Sequence, residues 1–279
     1  MFCPFFLYPE GYSRCVTFSY DDGAHFDRRL VEIFNRYGLK GTFHLNSGSL
    51  EHGNRNGWNI AAEEIPELYA GHEVSCHMAT HPFPSAQPDT ELVREMLDDR
   101  LALEKYCGYP VRGMSFPFGD YDARTLTAMD AAGIEYSRAV APTKGFRLPA
   151  DFRAWSPTCH HREAADLLDR FRGEFSPLAL FYVWGHSFEF DRQNNWNVIE
   201  EFCDKLCAKR DFWAATNIQI VDYIRAARAL RFSADCRMVY NPTATTVWFG
   251  DTGGGTLCTD CTKYRKFAVK PGETLKISD

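Results

Sequence analysis

The stretch Cys15-Val16-Thr17-Phe18-Ser19-Tyr20-Asp21-Asp22-Gly23 runs from an apolar strand pattern into two carboxylates and a glycine. The next residues complete a unit. Leu30, Ile33, Phe34 and Tyr37 recur at helical spacing over 26–37, Gly38 stops that helix, and Gly41-Thr42-Phe43-His44-Leu45 reads as a second strand. Strand, helix and strand in this order predict two parallel strands joined by a crossover helix.

The alternation continues along the chain. Strands are expected at 73–76, 112–116, 135–140, 152–155, 178–184 and 212–214, and helices at 61–69, 89–107, 123–132, 162–171, 197–209 and 218–230. Seven or so such units predict a parallel α/β protein. A barrel with its site at the strand C-termini fits the count; a doubly wound open sheet is the alternative. After Phe232 the helical periodicity stops. Gly253-Gly254-Gly255 and Pro271-Gly272 punctuate short runs, so residues 233–279 are expected to form a small β appendage packed on a barrel of residues 1–232.

Composition narrows the function. The chain has 279 residues, 45% hydrophobic and 24% charged, with net charge −6, which excludes disorder as the dominant state. There is no basic footprint for a nucleic-acid backbone. Aromatic residues make up 15%, which fits either a well-filled core or rings lining a groove for something flat and amphipathic, such as a sugar. No apolar run reaches the roughly 18 to 20 residues that span a bilayer. Residues 1–9 lack a basic n-region, so no signal peptide is read and a cytoplasmic location is expected. Ten scattered cysteines then read as reduced thiols. Cys258-Thr259-Asp260-Cys261 has zinc-knuckle spacing with Cys236 as a third ligand, but no fourth is evident.

Polar residues gather at four strand ends. Asp21 and Asp22 leave an extended chain in different directions, which suits one as a metal ligand and the other as a free base; a helix N-cap is the competing use. His77 and His81 stand four apart after a strand, a common metal-ligand spacing, and Pro82 disfavours helical geometry at His81. Ser115-Phe116-Pro117-Phe118-Gly119 closes one strand and Trp184-Gly185-His186 closes another.

Taken in order, these motifs resemble the polysaccharide deacetylase (NodB-homology, carbohydrate esterase family 4) domain over roughly residues 12 to 230. Thr17 to Gly23 is similar to the family's TFDDG motif. Gly71-His72-Glu73 with His77 and His81-Pro82 is similar to its second motif. Phe116-Pro117-Phe118-Gly119 resembles the third, Asp151 to Trp155 loosely resembles the fourth, and Trp184-Gly185-His186 stands where the fifth has Leu-x-His. The resemblance implies a distorted (β/α)7 barrel, with Asp22, His77 and His81 as metal ligands, Asp21 as general base and His186 as general acid. It implies removal of acetyl groups from N-acetylated, or O-acetylated, sugars in oligo- or polysaccharides. Zinc is the first choice for an Asp-His-His set, with cobalt or nickel as alternatives. Phe118, Tyr121, Trp155 and Trp184 are the rings expected to meet the sugar.

Three positions depart from the family's pattern. The arginine that orients the base is replaced by Ser115, the residue after the first metal histidine is Met78, and the aspartate that contacts the acid histidine is Ala154. Arg112 points to the opposite strand face from Ser115, which leaves Arg138 or Arg153 to supply the charge; Asp151 or Glu189 would orient His186. These losses keep two other readings open: a non-catalytic carbohydrate-binding barrel, and an amidase acting on a non-sugar C–N bond.

Overall fold

The computed structural model describes residues 4–52, 57–252 and 264–278. Its elements follow the chain as β1 (Pro4–Leu7), β2 (Arg14–Asp21), α1 (Asp27–Tyr37), β3 (Gly41–Leu45), α2 (Ser47–His52), α3 (Ile65–Leu68), β4 (Glu73–Cys76), α4 (Asp89–Cys107), β5 (Gly113–Ser115), α5 (Ala123–Ala132) and β6 (Tyr136–Arg138). Then come β7 (Cys159–His160), α6 (Ala164–Arg172), β8 (Ala179–Gly185), α7 (Phe188–Arg192), α8 (Asn197–Cys207), β9 (Trp213–Ala214) and α9 (Asn217–Ala229). The short strands β10 (Arg231–Phe232), β11 (Met238–Tyr240), β12 (Val247–Asp251), β13 (Arg265–Val269) and β14 (Thr274–Lys276) complete it.

The central sheet has the order β6-β5-β4-β3-β2-β8-β7, all parallel, with β9 pairing β2. The sheet curls. Trp155 bridges to Arg138 of β6, while Cys159 and His160 pair with β8, so one short segment meets both edges. This is the expected distorted (β/α)7 barrel, not an open sheet.

Strand alternation sorts the side chains. Val16, Phe18 and Tyr20 of β2 face the helices; Phe18 and Tyr20 pack on Phe34 of α1. Thr17, Ser19 and Asp21 point the other way and are buried, as are Thr42 and His44 of β3 and Glu73 and Ser75 of β4. The barrel interior is therefore polar, and its groups must pair with one another. At the lower end Glu73 accepts from the Thr42 hydroxyl (2.9 Å), the Tyr136 hydroxyl (2.7 Å) and the Ile218 N–H (2.9 Å), which ties the start of α9 into the barrel. Gly113 is required there, since a Cβ would lie 2.0 Å from the Tyr136 ring.

Helix ends match their sequence signals. Gly38 (φ 59°), Gly108 (φ 71°) and Gly133 (φ 68°) close α1, α4 and α5 in the left-handed region. Two short elements differ from expectation. Residues 152–154 form a 3-10 turn rather than a strand. Residues 62–68 split into a 3-10 turn and α3, because Pro66 fits only the first turn of a helix.

The C-terminal strands form two three-stranded sheets, β1-β12-β13 and β10-β11-β14. Phe249 and Val239 from these sheets pack with Ala226, Ala227 and Leu230, so the appendage shares an apolar core with α9. Two of its strands, β1 and β10, come from before residue 233. Cys258 and Cys261 lie outside the described residues. Among the described residues no helix is long and apolar enough to cross a membrane.

Candidate active site

The upper rim of the barrel brings Asp21, Asp22, His77, His81 and His186 together. Asp22 Oδ1 lies 3.6 Å from His77 Nε2 and 3.8 Å from His81 Nε2. Those separations are too long for hydrogen bonds and suit two ligands sharing one cation. Asp22, His77 and His81 each offer a ligand atom within 4.8 Å of the others. The donor set fits a divalent metal for a second reason. His77 Nδ1 faces the Ser115 carbonyl at 2.9 Å, an acceptor without a proton, so the ring donates there and keeps its lone pair on Nε2. Burial, the largest influence, pushes the His77 pKa down, so the imidazole is neutral at neutral pH.

The backbone around this group is strained. Asp22 (φ 78°), Met78 (φ 58°) and His81 (φ 57°) all sit in the left-handed region. Side chains hold them there. The Asn59 amide donates to the Asp22 carbonyl at 2.7 Å, and the Asn46 amide donates to the His77 and Met78 carbonyls at 2.5 and 2.9 Å. The Asp99 carboxylate accepts the N–H of Ser47 and of His77, both at 2.8 Å. Asp99 had a sequence signal. It falls on the apolar stripe Leu92, Met96, Leu103 of α4, where a carboxylate needs buried donors. Asn46 and Asn59 had none.

Arg138 supplies the charge missing at Ser115. The register of β5 and β6 pairs these two residues, so both side chains enter the barrel side by side. The Arg138 guanidinium is fully buried and bonds Asp21 Oδ2, while the Ser115 hydroxyl reaches Asp21 Oδ1 at 3.2 Å. Burial works to raise the Asp21 carboxyl, but Arg138 and the imidazoles of His77, His44 and His186 outweigh it and hold the carboxyl well below the usual range. Arg112 pairs with Glu135 and Asp222, and Arg153 with Asp151 and Asp130, both away from the site.

Glu189 stands in for the aspartate lost at Ala154. Its Oε1 receives His186 Nδ1 at 2.8 Å and His160 Nε2 at 3.1 Å, and Arg162 bonds Oε2. Burial tends to lower the His186 pKa, but Glu189 and the two aspartates more than reverse it and raise it. Asp151 is committed to Arg153 instead. His160, His161 and Glu189 form a second group of close donors that sequence reasoning missed, since their separation along the chain is closed only by β7 pairing with β8.

The expected sugar-contacting rings divide. Phe118 (54% exposed) packs edge-on against His81 at 4.4 Å, and Tyr121 stacks on Phe116 at 4.4 Å. Trp184 lies under the Arg138 guanidinium at 4.5 Å. Trp155 does not line the site. It is 1% exposed and wedged among Tyr136, Phe152 and Tyr182, because its bridge to Arg138 turns the ring into the barrel core.

The polysaccharide deacetylase family model matches residues 9–137. Over this stretch, somewhat under half of the 279 residues, the chain is similar to polysaccharide deacetylases. No curated protein matches the sequence. Solved structures share the fold: a "putative polysaccharide deacetylase" from Mycobacterium smegmatis is 17% identical with TM-score 0.61, covering 82% of this chain and 96% of that one. A mutant of the peptidoglycan deacetylase PdaC from Bacillus subtilis is 16% identical with TM-score 0.51, covering 77% and 93%. A carbohydrate esterase family 4 pseudoenzyme from Bacillus anthracis is 16% identical with TM-score 0.50, covering 75% and 65%. The family resemblance read from the motifs agrees with the family model and with the shared fold.

Proposed function

We propose that this protein is a metal-dependent hydrolase that removes acetyl groups from N-acetylated sugars, or O-acetylated ones, in oligo- or polysaccharides. One observation carries the reading: both partners lost from the family's motifs are replaced from elsewhere in the fold, Arg138 on Asp21 and Glu189 on His186. A barrel that only bound sugar would have no need to rebuild an acid–base pair. Asp22, His77 and His81 would hold the metal, with zinc the first choice and cobalt or nickel the alternatives. A divalent ion there supplies Lewis acidity to a water and to the acyl oxygen.

The chain's own groups handle the protons. Asp21 is ionised and its Oδ2 lies 4.0 Å from His186 Nε2, a proton acceptor and a proton donor close enough to serve one reacting group. Asp21 takes a proton from the attacking water as the water oxygen bonds the acyl carbon. His186, whose protonated form Glu189 favours, gives its Nε2 proton to the departing sugar amine as the C–N bond breaks, leaving acetate and free amine. Acid–base help of this kind is worth about 10²–10⁴-fold.

Acetate release from N-acetylated chito-oligosaccharides and from a small acetyl ester tests the proposal, comparing metal-replete wild type, chelated protein and Asp21→Asn. Turnover lost in the last two is the expected result. Wild type that binds sugar without releasing acetate would establish the non-catalytic reading, and turnover confined to non-sugar amides the amidase reading. Elemental analysis of His77→Ala/His81→Ala should show the metal gone.

A further inference from the structure

We propose that two pairs of rings, three of the four exposed and Phe188 half-buried, flank the Asp22, His77 and His81 group as platforms for successive rings of one oligosaccharide: Phe83 with Phe118 on one side, Trp58 with Phe188 on the other. This rests on the deacetylase reading and extends it to the length of the substrate. The sides are defined by the Asp22 carboxylate. His81 faces its Oδ1 and His186 its Oδ2, at 3.8 and 3.9 Å. Phe118 packs on His81, and Phe83 stacks flat on Phe118 at 3.9 Å and 11°. Phe188 lies 5.1 Å from His186, and Trp58 lies 5.7 Å from Phe188.

Phe83, Phe118 and Trp58 are exposed and yet held in place, and half-buried Phe188, with the Arg192 guanidinium 4.8 Å over its ring, backs Trp58. Phe83 and Phe118 are each 54% exposed and Trp58 is 44% exposed. Phe83 stands between Pro82 and Pro84, which stiffen its backbone. Phe118 has φ 59°, a conformation that costs a bulky residue free energy and points to a role. The carbonyl of Trp58 accepts the His25 N–H at 2.8 Å, and its neighbour Asn59 is bonded to the metal-ligand residue Asp22. Rings fixed before the ligand arrives lose little freedom on binding.

The distribution selects the ligand. A protein or lipid partner calls for one continuous apolar patch. Here two small apolar platforms are separated by a charged centre. A pyranose chain has that alternation, with C–H faces that stack on rings and hydroxyl edges that meet polar groups. One sugar at the centre and one on each platform make a trisaccharide the shortest chain to engage both.

Calorimetry with metal-loaded full-length protein tests the assignment, using N-acetylglucosamine oligomers of one to five units, beside acetate-release kinetics. Affinity should rise from one to three units and then level. Trp58→Ala and Phe83→Ala should each weaken trimer binding about tenfold, and raise KM by more than they lower kcat, with the metal content of wild type. Trp58→Phe and Phe83→Tyr, which keep a ring, should recover most of the affinity. Equal affinity for one and three units, alanine variants that bind the trimer like wild type, or variants that lose metal would each overturn the platforms. Wild type that binds the trimer but releases no acetate would fail the deacetylase reading and leave the platforms standing.

Discussion

Arg138→Met is the most informative single change. Asp21 is 2% exposed, and Arg138 is the one guanidinium bonded to its carboxylate among the described residues. Removing that partner leaves an uncompensated buried charge, a change that typically costs about 3–5 kcal/mol of stability. The catalytic effect has a definite sign. With the guanidinium gone, burial is left as the main influence on the Asp21 carboxyl, so its pKa rises. A neighbouring arginine typically accounts for one to three pH units, so the acidic limb of the kcat/KM profile should move up by about that much. Rate at neutral pH should also fall, because the Asp21 carboxylate loses the donor that orients it, with metal content retained, because Arg138 touches none of the three proposed ligands. The swap Arg138→Ser with Ser115→Arg should recover part of the rate, since both side chains enter at the same level of the barrel. Acetate release from pH 4 to 10, with circular dichroism and elemental analysis as controls, reads all of this. An Arg138→Met protein that is folded and metal-loaded, with an unshifted acidic limb and rates within about twofold of wild type, would refute the role given to Arg138.

Glu189→Gln should move the basic limb of the profile to lower pH and lower kcat more than it raises KM, because His186 loses the carboxylate that favours its protonated form; an unchanged basic limb would free His186 of that dependence. Asp27 gives a stability test. Burial, opposed by the Ser187 and Tyr69 hydroxyls, raises its carboxyl to about 7. The folded value lies above the unfolded one, so its contribution is full below about pH 4 and is lost as pH rises through about 7. Asp27→Asn should therefore lessen the fall in Tm between pH 5 and 8, read by scanning calorimetry; an identical slope would show that Asp27 does not titrate there. Trp155→Ala should destabilise by about 3–5 kcal/mol through the cavity it leaves, measured by urea unfolding, and a variant of wild-type stability would return Trp155 to the surface.

Much of the molecule was legible in order of sequence. Apolar strand runs, helical spacing and stop glycines placed α1, α4, α5 and α9 within a residue or two, because those signals are local. The spacing of Asp21-Asp22, His77, His81 and His186 named the candidate site, because a parallel barrel puts every strand C-terminus on one rim. The N-terminal strand β1 was not legible, since its partner β12 lies more than two hundred residues away and pairing over that distance leaves no local mark.

What only the tertiary structure decided was which alternative meets Asp21 and which meets His186. The sequence offered Arg138 or Arg153, and Asp151 or Glu189, with nothing to choose between them. Strand register chose Arg138 by pairing it with Ser115, and a three-residue step into α7 chose Glu189 by bringing it under His186. Register also took Trp155 away from the candidate site and gave it to the core. Residue types and their order determine which chemistry a chain can hold; the register and curvature of the sheet determine which copies of each type meet, because a one-residue slip turns a side chain to the opposite face.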